Sequence, residues 1–292
     1  MTPDPSASGG DALPQLRRPV LLAAFGGWTD AGDAASAVVE HLSLTWTAVD
    51  LREIDPDDYY DYQATRPTIH LSDGVTRRLS WPSTSISYCR VPTAHRDLVL
   101  VLGMEPNLRW RAFCQEIVDL AVDLDVETAV VLGAAFADSP HTRPIPVSGS
   151  AHTAEIAARY GLAASSYDGP TGITGVLQDA FIQIGIPAMA LWASVPHYVG
   201  NPPSPKATLA LLHRLELLVG LPLPVGMLPE QAREWEETVS EMVFADDDMA
   251  AYVHELEQRH DDDLADGTLT EVDGDLLAAE FERYLRQRGS ND

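Results

Sequence analysis

Val20-Leu21-Leu22-Ala23-Ala24-Phe25, broken at once by Gly26-Gly27-Trp28-Thr29-Asp30, decides the fold. A continuous apolar run of this length, closed by glycines, reads as a strand buried on both faces. Thr29 or Asp30 then caps a helix to about Leu44, with Ala34, Val38 and Leu42 on one face. A strand over Thr47 to Ile54 completes the first cycle. Downstream, Leu98 to Leu102, Thr128 to Leu132 and Ile186 to Val195 repeat the apolar-run signature. Helices are expected between them: Asn107 to Leu124, Thr153 to Tyr160, and one opened by Thr171 or Thr174. Ser204-Pro205 is a cap followed by an N1 proline, and that helix ends at Gly220 with Pro222 beyond. Strands alternating with helices predict a three-layer α/β/α sandwich with a mainly parallel sheet.

Other segments sit around this frame. Thr68 to Leu71, Arg77 to Trp81 and Ser85 to Val91 alternate like short strands of a hairpin extension. Pro146 to Gly149 is short and extended. Residues 1–18, rich in Pro, Ser, Gly and Asp, read as a disordered tail. The α/β domain is expected over 19–224, and residues 225–292 as an acidic helical extension. Its helical faces are Ala232, Trp235, Val239 and Met242, then Met249, Val253 and Leu256, then Leu277, Phe281 and Tyr284. From Pro229 onward there are 20 acidic and 5 basic residues. Asp246 to Asp248 and Asp261 to Asp263 lack the spacing and closing Glu of an EF-hand.

Composition narrows the function. Of 292 residues, 45% are hydrophobic and 22% charged, which supports a packed core. Lys+Arg is 19 against Asp+Glu 44, a formal net charge of −25. Such a chain repels phosphate backbones and anionic lipids, so neither nucleic acid nor a membrane is an expected partner. Cys89 and Cys114 cannot build a disulfide framework or a paired-cysteine zinc site; reduced thiols fit the cytoplasm. No metal and no cofactor are expected.

Five constellations carry whatever chemistry there is. Gly26, Gly27, Trp28 and Asp30 form a strand–turn–helix junction that is either an anion cradle or a tight turn capped by Asp30. Glu105, in Gly103-Met-Glu-Pro-Asn107, stands at a strand end, as a general base or as a partner for loop amides or Arg109. His141 and Arg143, between Pro140 and Pro144, can together hold an anion or serve structure. Thr171 and Gly172 open a glycine-rich helix start. His197 follows the last strong strand, has no H-x-x-x-H partner and is better placed to bond loop carbonyls. No G-x-S-x-G elbow occurs. These bends are expected to meet at one sheet rim as a ligand pocket, yet no nucleophile–base–oxyanion set is present.

Phe25-Gly-Gly-Trp-Thr-Asp-Ala-Gly32, Gly103-Met-Glu-Pro106, Pro140-His-Thr-Arg-Pro144, Gly169-Pro-Thr-Gly-Ile173, Trp192-Ala-Ser-Val-Pro-His-Tyr-Val199 and Pro203-Ser-Pro-Lys-Ala-Thr208 together resemble the actinobacterial branch of the PAC2 family. The likeness covers roughly residues 18 to 222. It implies an α/β/α fold similar to nucleoside phosphorylases and peptidyl-tRNA hydrolases. It implies a homo-oligomer, with a trimer expected, and a proteasome-assembly-chaperone-like role with proteasome subunits as partner. Two functions therefore stand side by side. One is a non-enzymatic protein-binding factor using the acidic helices as its contact surface. The other is a small-molecule binder or enzyme of phosphorylase-like fold, with Arg143 on an anion and Glu105 or His141 moving a proton.

Overall fold

The computed structural model describes residues 13–72, 76–92, 94–164 and 169–265. Strand β1 (Val20–Gly26) lies in the middle of an eight-stranded sheet. Its neighbours are β6 (Leu98–Met104) and β7 (Thr128–Ala137), both parallel to it, and β10 (Ala188–Pro196) runs parallel beside β7. Antiparallel strands flank this centre. On one side come β5 (Thr84–Cys89) and then β2 (Val49–Ile54); on the other come β8 (Val147–Ala151) and β9 (Ala163–Ala164). The sheet is therefore mixed, parallel only at its centre and in the short β8–β9 pair. The segment read as a third hairpin strand, β5, belongs to this main sheet. Only β3 (Thr68–Ser72) and β4 (Thr76–Ser80) form a separate hairpin.

The run at Val20 is apolar at every position because both of its faces are covered. Val20, Leu22 and Ala24 pack under α1 (Ala34–Thr45) and α5 (Pro205–Val219). Leu21, Ala23 and Phe25 pack under α2 (Trp110–Asp123) and α4 (Ile173–Gln183). The period of two along a strand divides one sequence between two cores. Each fully buried Leu contributes roughly 1.5–3 kcal/mol. The third-layer helices continue with α3 (Ala154–Tyr160), whose cap is the expected one: Thr153 accepts from the Ile156 amide at 3.2 Å. Gly220 ends α5 in the left-handed conformation (φ +64°), which glycine adopts without a Cβ penalty.

Two helices follow the sheet. α6 (Leu228–Phe244) packs along α5, and α7 (Asp247–Ala265) packs on α6. Val239, Val243 and Val253 close a small apolar cluster with Val199 from the loop after β10. Of the first expected face, Ala232 and Val239 are buried and Trp235 is half-buried, but Met242 is exposed and Val243 takes the inward place; of the second, Val253 and Leu256 are buried and Met249 packs against the cluster. The third face, Leu277, Phe281 and Tyr284, lies outside the described residues. Within the stretch read as a tail, Arg17 is tied to buried Asp97 by its backbone amide (2.9 Å) and guanidinium (2.5 Å), and Leu16 packs on the core. Burial works to raise the Asp97 carboxyl, but the Arg17 bonds and the Val91 amide outweigh it and hold it below the usual range. Among the described residues, no helix is long and apolar enough to cross a membrane.

Candidate functional site at the strand ends

All four central strands end at the same sheet edge. Their terminal side chains nevertheless divide into two clusters.

The first lies at the ends of β1 and β6. The Glu105 amide donates to the Gly26 carbonyl at 2.9 Å, so the two strands stay in register to their tips. Gly27 sits at φ +123°, where only glycine is at ease, and a Cβ there would stand 3.7 Å from the Glu105 Cβ. The Glu105 side chain crosses to α4, where Oε1 accepts the Ile173 amide at 2.9 Å. Neither Thr171 nor Thr174 caps that helix. The N-cap residue is Gly172, with no side chain to offer, and the cap is supplied by Glu105 from another element. A side chain at 172 would collide with this arrangement: its Cβ would be 2.8 Å from Thr29 Cγ2 and 3.0 Å from Glu105 Oε1. Arg109 does not pair with Glu105; it reaches Asp58 instead. Burial raises the Glu105 carboxyl above its ordinary value, only partly countered by the Ile173 amide.

Asp30 belongs to the same end of β1. Its carboxylate accepts the Ala35 amide at 2.7 Å and the Ser36 amide at 3.3 Å, so it caps the start of α1 from across a short 3-10 turn over Ala31–Asp33. The helix starts at Ala34, later than the sequence suggests, because that turn intervenes. Burial pushes the Asp30 carboxyl up, against the Ser36 and Ala35 bonds that lower it. The backbone of Thr29 and Asp30 runs on beside β7, with the Ala134 amide donating to the Thr29 carbonyl at 2.8 Å.

The second cluster lies at the ends of β7 and β10. His141 is buried there. Its backbone N–H donates to the Tyr198 hydroxyl at 2.7 Å, and its Nδ1 lies 2.8 Å from the same oxygen. Its Nε2 lies 3.0 Å from Ser240 Oγ, so each ring nitrogen is engaged by a hydroxyl. Burial lowers the His141 pKa, and the nearby Lys206 ammonium lowers it further. Lys206, the chain's sole lysine, is itself bonded to the His141 carbonyl and to Glu236 of α6, both at 2.5 Å.

Arg143 faces α7. Its guanidinium donates to both carboxylate oxygens of Asp261, each at 2.8 Å, and lies 3.4 Å from Glu257. This is the two-pronged geometry a guanidinium gives a bound carboxylate, here supplied by the chain itself. Thr142 also bonds Glu257. His197 takes the expected loop carbonyl, Ala137, at 3.5 Å and adds Asp138 at 3.3 Å. Tyr252 of α7 packs edge-on against His197 (5.6 Å) and Tyr198 (6.2 Å). Sequence reading pointed to His141, Arg143 and His197 but missed Tyr198, Ser240, Tyr252, Glu257 and Asp261. The one signal for them was the acidic charge of the C-terminal helices beside an otherwise arginine-bearing loop.

The expected residues therefore gather in two sets: Gly26, Gly27, Asp30, Glu105 and Gly172 near β1, and His141, Arg143 and His197 near β10. Thr171 precedes Gly172 at the α4 start, and Trp28 lies in the β1 turn. Among the described residues, no group of three or more His, Cys, Asp or Glu stands ready for a metal. Both thiols are buried, and burial pushes Cys89 to about 11 and Cys114 to about 12, which leaves them unreactive.

Fold and site together define an α/β/α protein whose strand-end polar groups are bonded to its own helices, two of them C-terminal to the sheet. The chain belongs to the PAC2 family: the model described as PAC2 family matches residues 24–243. It is 52% identical to a structure from Mycobacterium tuberculosis described as a proteasome-assembly chaperone homologue, covering 80% of this chain and 99% of that one, with a TM-score of 0.73. It is 49% identical to a PAC2 family protein of Streptomyces avermitilis, with the same coverage and TM-score. An archaeal proteasome activator from Pyrococcus furiosus shares the fold at 16% identity and TM-score 0.62, over 79% of this chain and 95% of that one. No curated protein matches.

Proposed function

We propose that the protein is a non-enzymatic, chaperone-like binding factor that engages proteasome subunits and works as a homo-oligomer in the cytoplasm. In this reading residues 19–224 are the scaffold and the acidic helices of 225–292 are the contact surface. One observation carries it. The side chains with catalytic potential at the β10 rim, His141 and Arg143, are held by Tyr198, Ser240, Glu257 and Asp261. Their hydrogen-bonding capacity fixes the C-terminal helices in place. The helices are strongly anionic: Leu228–Ala265 holds 13 acidic and 2 basic residues, and ten of the acids remain once Glu236, Glu257 and Asp261, which bond Lys206 and the Thr142–Arg143 loop, are set aside. Such a surface steers a cationic protein partner. The description of the 52%-identical mycobacterial relative supports the choice of partner.

The test mixes the purified full chain with purified proteasome α- and β-subunits of the same organism, separately and together, at low and physiological salt. A co-eluting complex that weakens as salt rises is expected. Independent elution of every component at both salts overturns the proposal.

A further inference from the structure

The β3–β4 hairpin stands apart from both cores, and every side chain described in it is exposed. Its register pairs Ile69 with Leu79 and Leu71 with Arg77. Cross-strand partners share a face, and alternate residues along a strand do too. Ile69, Leu71 and Leu79 therefore form one apolar face, with Arg77 near its tip and Trp81 continuing the row. Leu71 is 64% exposed and Ile69 57%. Trp81 packs edge-on against Tyr62 at 4.8 Å, which fixes the base of the hairpin. A two-stranded sheet with an uncovered apolar face is marginal in water and gains from cover.

Charge says what kind of cover. From Arg66 to Trp81 the sequence has three arginines and one aspartate, a formal +2 in a chain whose net charge is −25. Arg77 and Arg78 hold no ion pair among the described residues. The outer face of α6 has the opposite character. Met227, Glu230, Glu234, Glu237, Glu241 and Phe244 follow a 3-4-3-4-3 spacing, which puts them in one stripe. All six are exposed, Phe244 by 87%, and none of the four glutamates has an ion-pair partner among the described residues. Like charges at this spacing repel one another, so the stripe gains from a cation. A 17-residue helix is about 25 Å long and a five-residue strand about 17 Å, so the hairpin spans about two-thirds of the stripe and fits within it.

The geometry points to a second copy of this chain as the occupant: the apolar, arginine-tipped face of the β3–β4 hairpin of one protomer lies along the Met227–Phe244 stripe of another. This rests on the proposed self-association and names its surface. The hairpin leaves the sheet at the β2–β5 edge, whereas α6 lies along α5, so the two patches are different surfaces. Each protomer gives one and receives the other, a contact that closes as a ring or a reciprocal pair.

Sedimentation velocity on the full chain tests it, with Arg77→Glu, with Glu237→Arg/Glu241→Arg, and with all three changes in one chain. The wild type is expected to be oligomeric. Each charge reversal is expected to weaken association at least tenfold with the circular-dichroism melt unchanged, and the triple variant to recover it. An oligomer unaffected by either reversal overturns the hairpin–helix contact and leaves self-association standing. Dissociation that the triple variant does not rescue also overturns the direct pairing. A wild type that is monomeric at ~100 µM overturns self-association and this contact with it.

Discussion

The two halves of the strand-end rim solve the same problem in opposite ways. Near β1 and β6, polar groups are enclosed by the α/β core: Glu105 caps α4 and Asp30 caps α1, and burial raises both carboxyls. Near β7 and β10, polar groups bond to helices that come after the sheet in the chain, through an imidazole, an ammonium and a guanidinium. In the first half a carboxyl replaces a helix's missing cap. In the second, carboxylates of a late helix occupy the place where an α/β sheet offers its cations to a ligand. Position at a strand end therefore does not by itself make a residue a ligand-binding one; what counts is which element reaches it first.

The sharpest way to break the comparison is to detach α7. Val253 is buried in the small cluster with Val199, Val239 and Val243. Val253→Asp places an unpaired charge there, a cost of roughly 3 kcal/mol or more that exceeds what so small a cluster contributes. Hydrogen exchange is expected to show α7 losing protection while β1, β6 and β7 keep theirs. Loss of protection in both regions together would make the two halves one cooperative unit. The β1 half gives a smaller effect. Glu105→Ala removes the cap of α4 and should cost about 1–2 kcal/mol in urea unfolding, whereas Glu105→Gln retains an oxygen for the Ile173 amide and loses little. Because burial raises the Glu105 carboxyl, its contribution is fullest below pH 4.5 and is lost as pH rises through its folded value. Gln at 105 should remove that slope. Equal losses from Ala and Gln would show that the carboxylate charge, not the acceptor, matters.

The comparison also marks where sequence is legible. Val20 to Phe25 announces a central strand because burial on two faces demands an unbroken apolar run. Thr153 and Gly220 announce helix ends because their partners are within a few residues. The cap of α4 is silent in sequence: Gly172 offers nothing, and its substitute, Glu105, is 68 positions from the amide it accepts. The adjacent threonines mislead for the same reason, since a local rule assumes a local partner. Arg143 and Asp261 are 118 positions apart, so neither residue's surroundings hint at the pair. The antiparallel β8 shows in the sequence only as the short extended stretch Pro146 to Gly149, and the two-residue β9 is too short to stand out from loop. Local chemistry can be read in order along the chain; closure of the rim depends on contacts between distant segments.

His141 sharpens the β10 half at lower energy. Its folded pKa lies below 6.5, by burial first and by Lys206 second. Above pH 6.5 both folded and unfolded imidazoles are neutral, and the group makes no pH-dependent difference. Below it the unfolded chain takes up a proton that the fold resists, so stability falls as pH drops, by at most about 1.4 kcal/mol per pH unit. Protonation would also make both ring nitrogens donors, so the Tyr198 and Ser240 hydroxyls would both have to accept. Thermal melts between pH 7 and 5 are expected to show this slope for the wild type and not for His141→Asn. An NMR titration placing the imidazole above 6.5 would show that the Glu236 and Glu257 carboxylates outweigh burial and Lys206, and would reverse the expected slope.

The smallest effect belongs to Arg143, because its contact with Asp261 faces solvent. Exposed ion pairs add little net stability, and salt screens what they add. Arg143→Ala should leave the global melt nearly unchanged and speed hydrogen exchange in the last turns of α7, near Asp261. The difference from wild type should shrink as salt rises from 20 to 500 mM. Arg143→Lys, which keeps the charge but loses the two-pronged geometry, should fall between them. If salt does not narrow the gap, the Arg143 stem packing on α7 outweighs its charge, and the β10 half is held, like the β1 half, by burial.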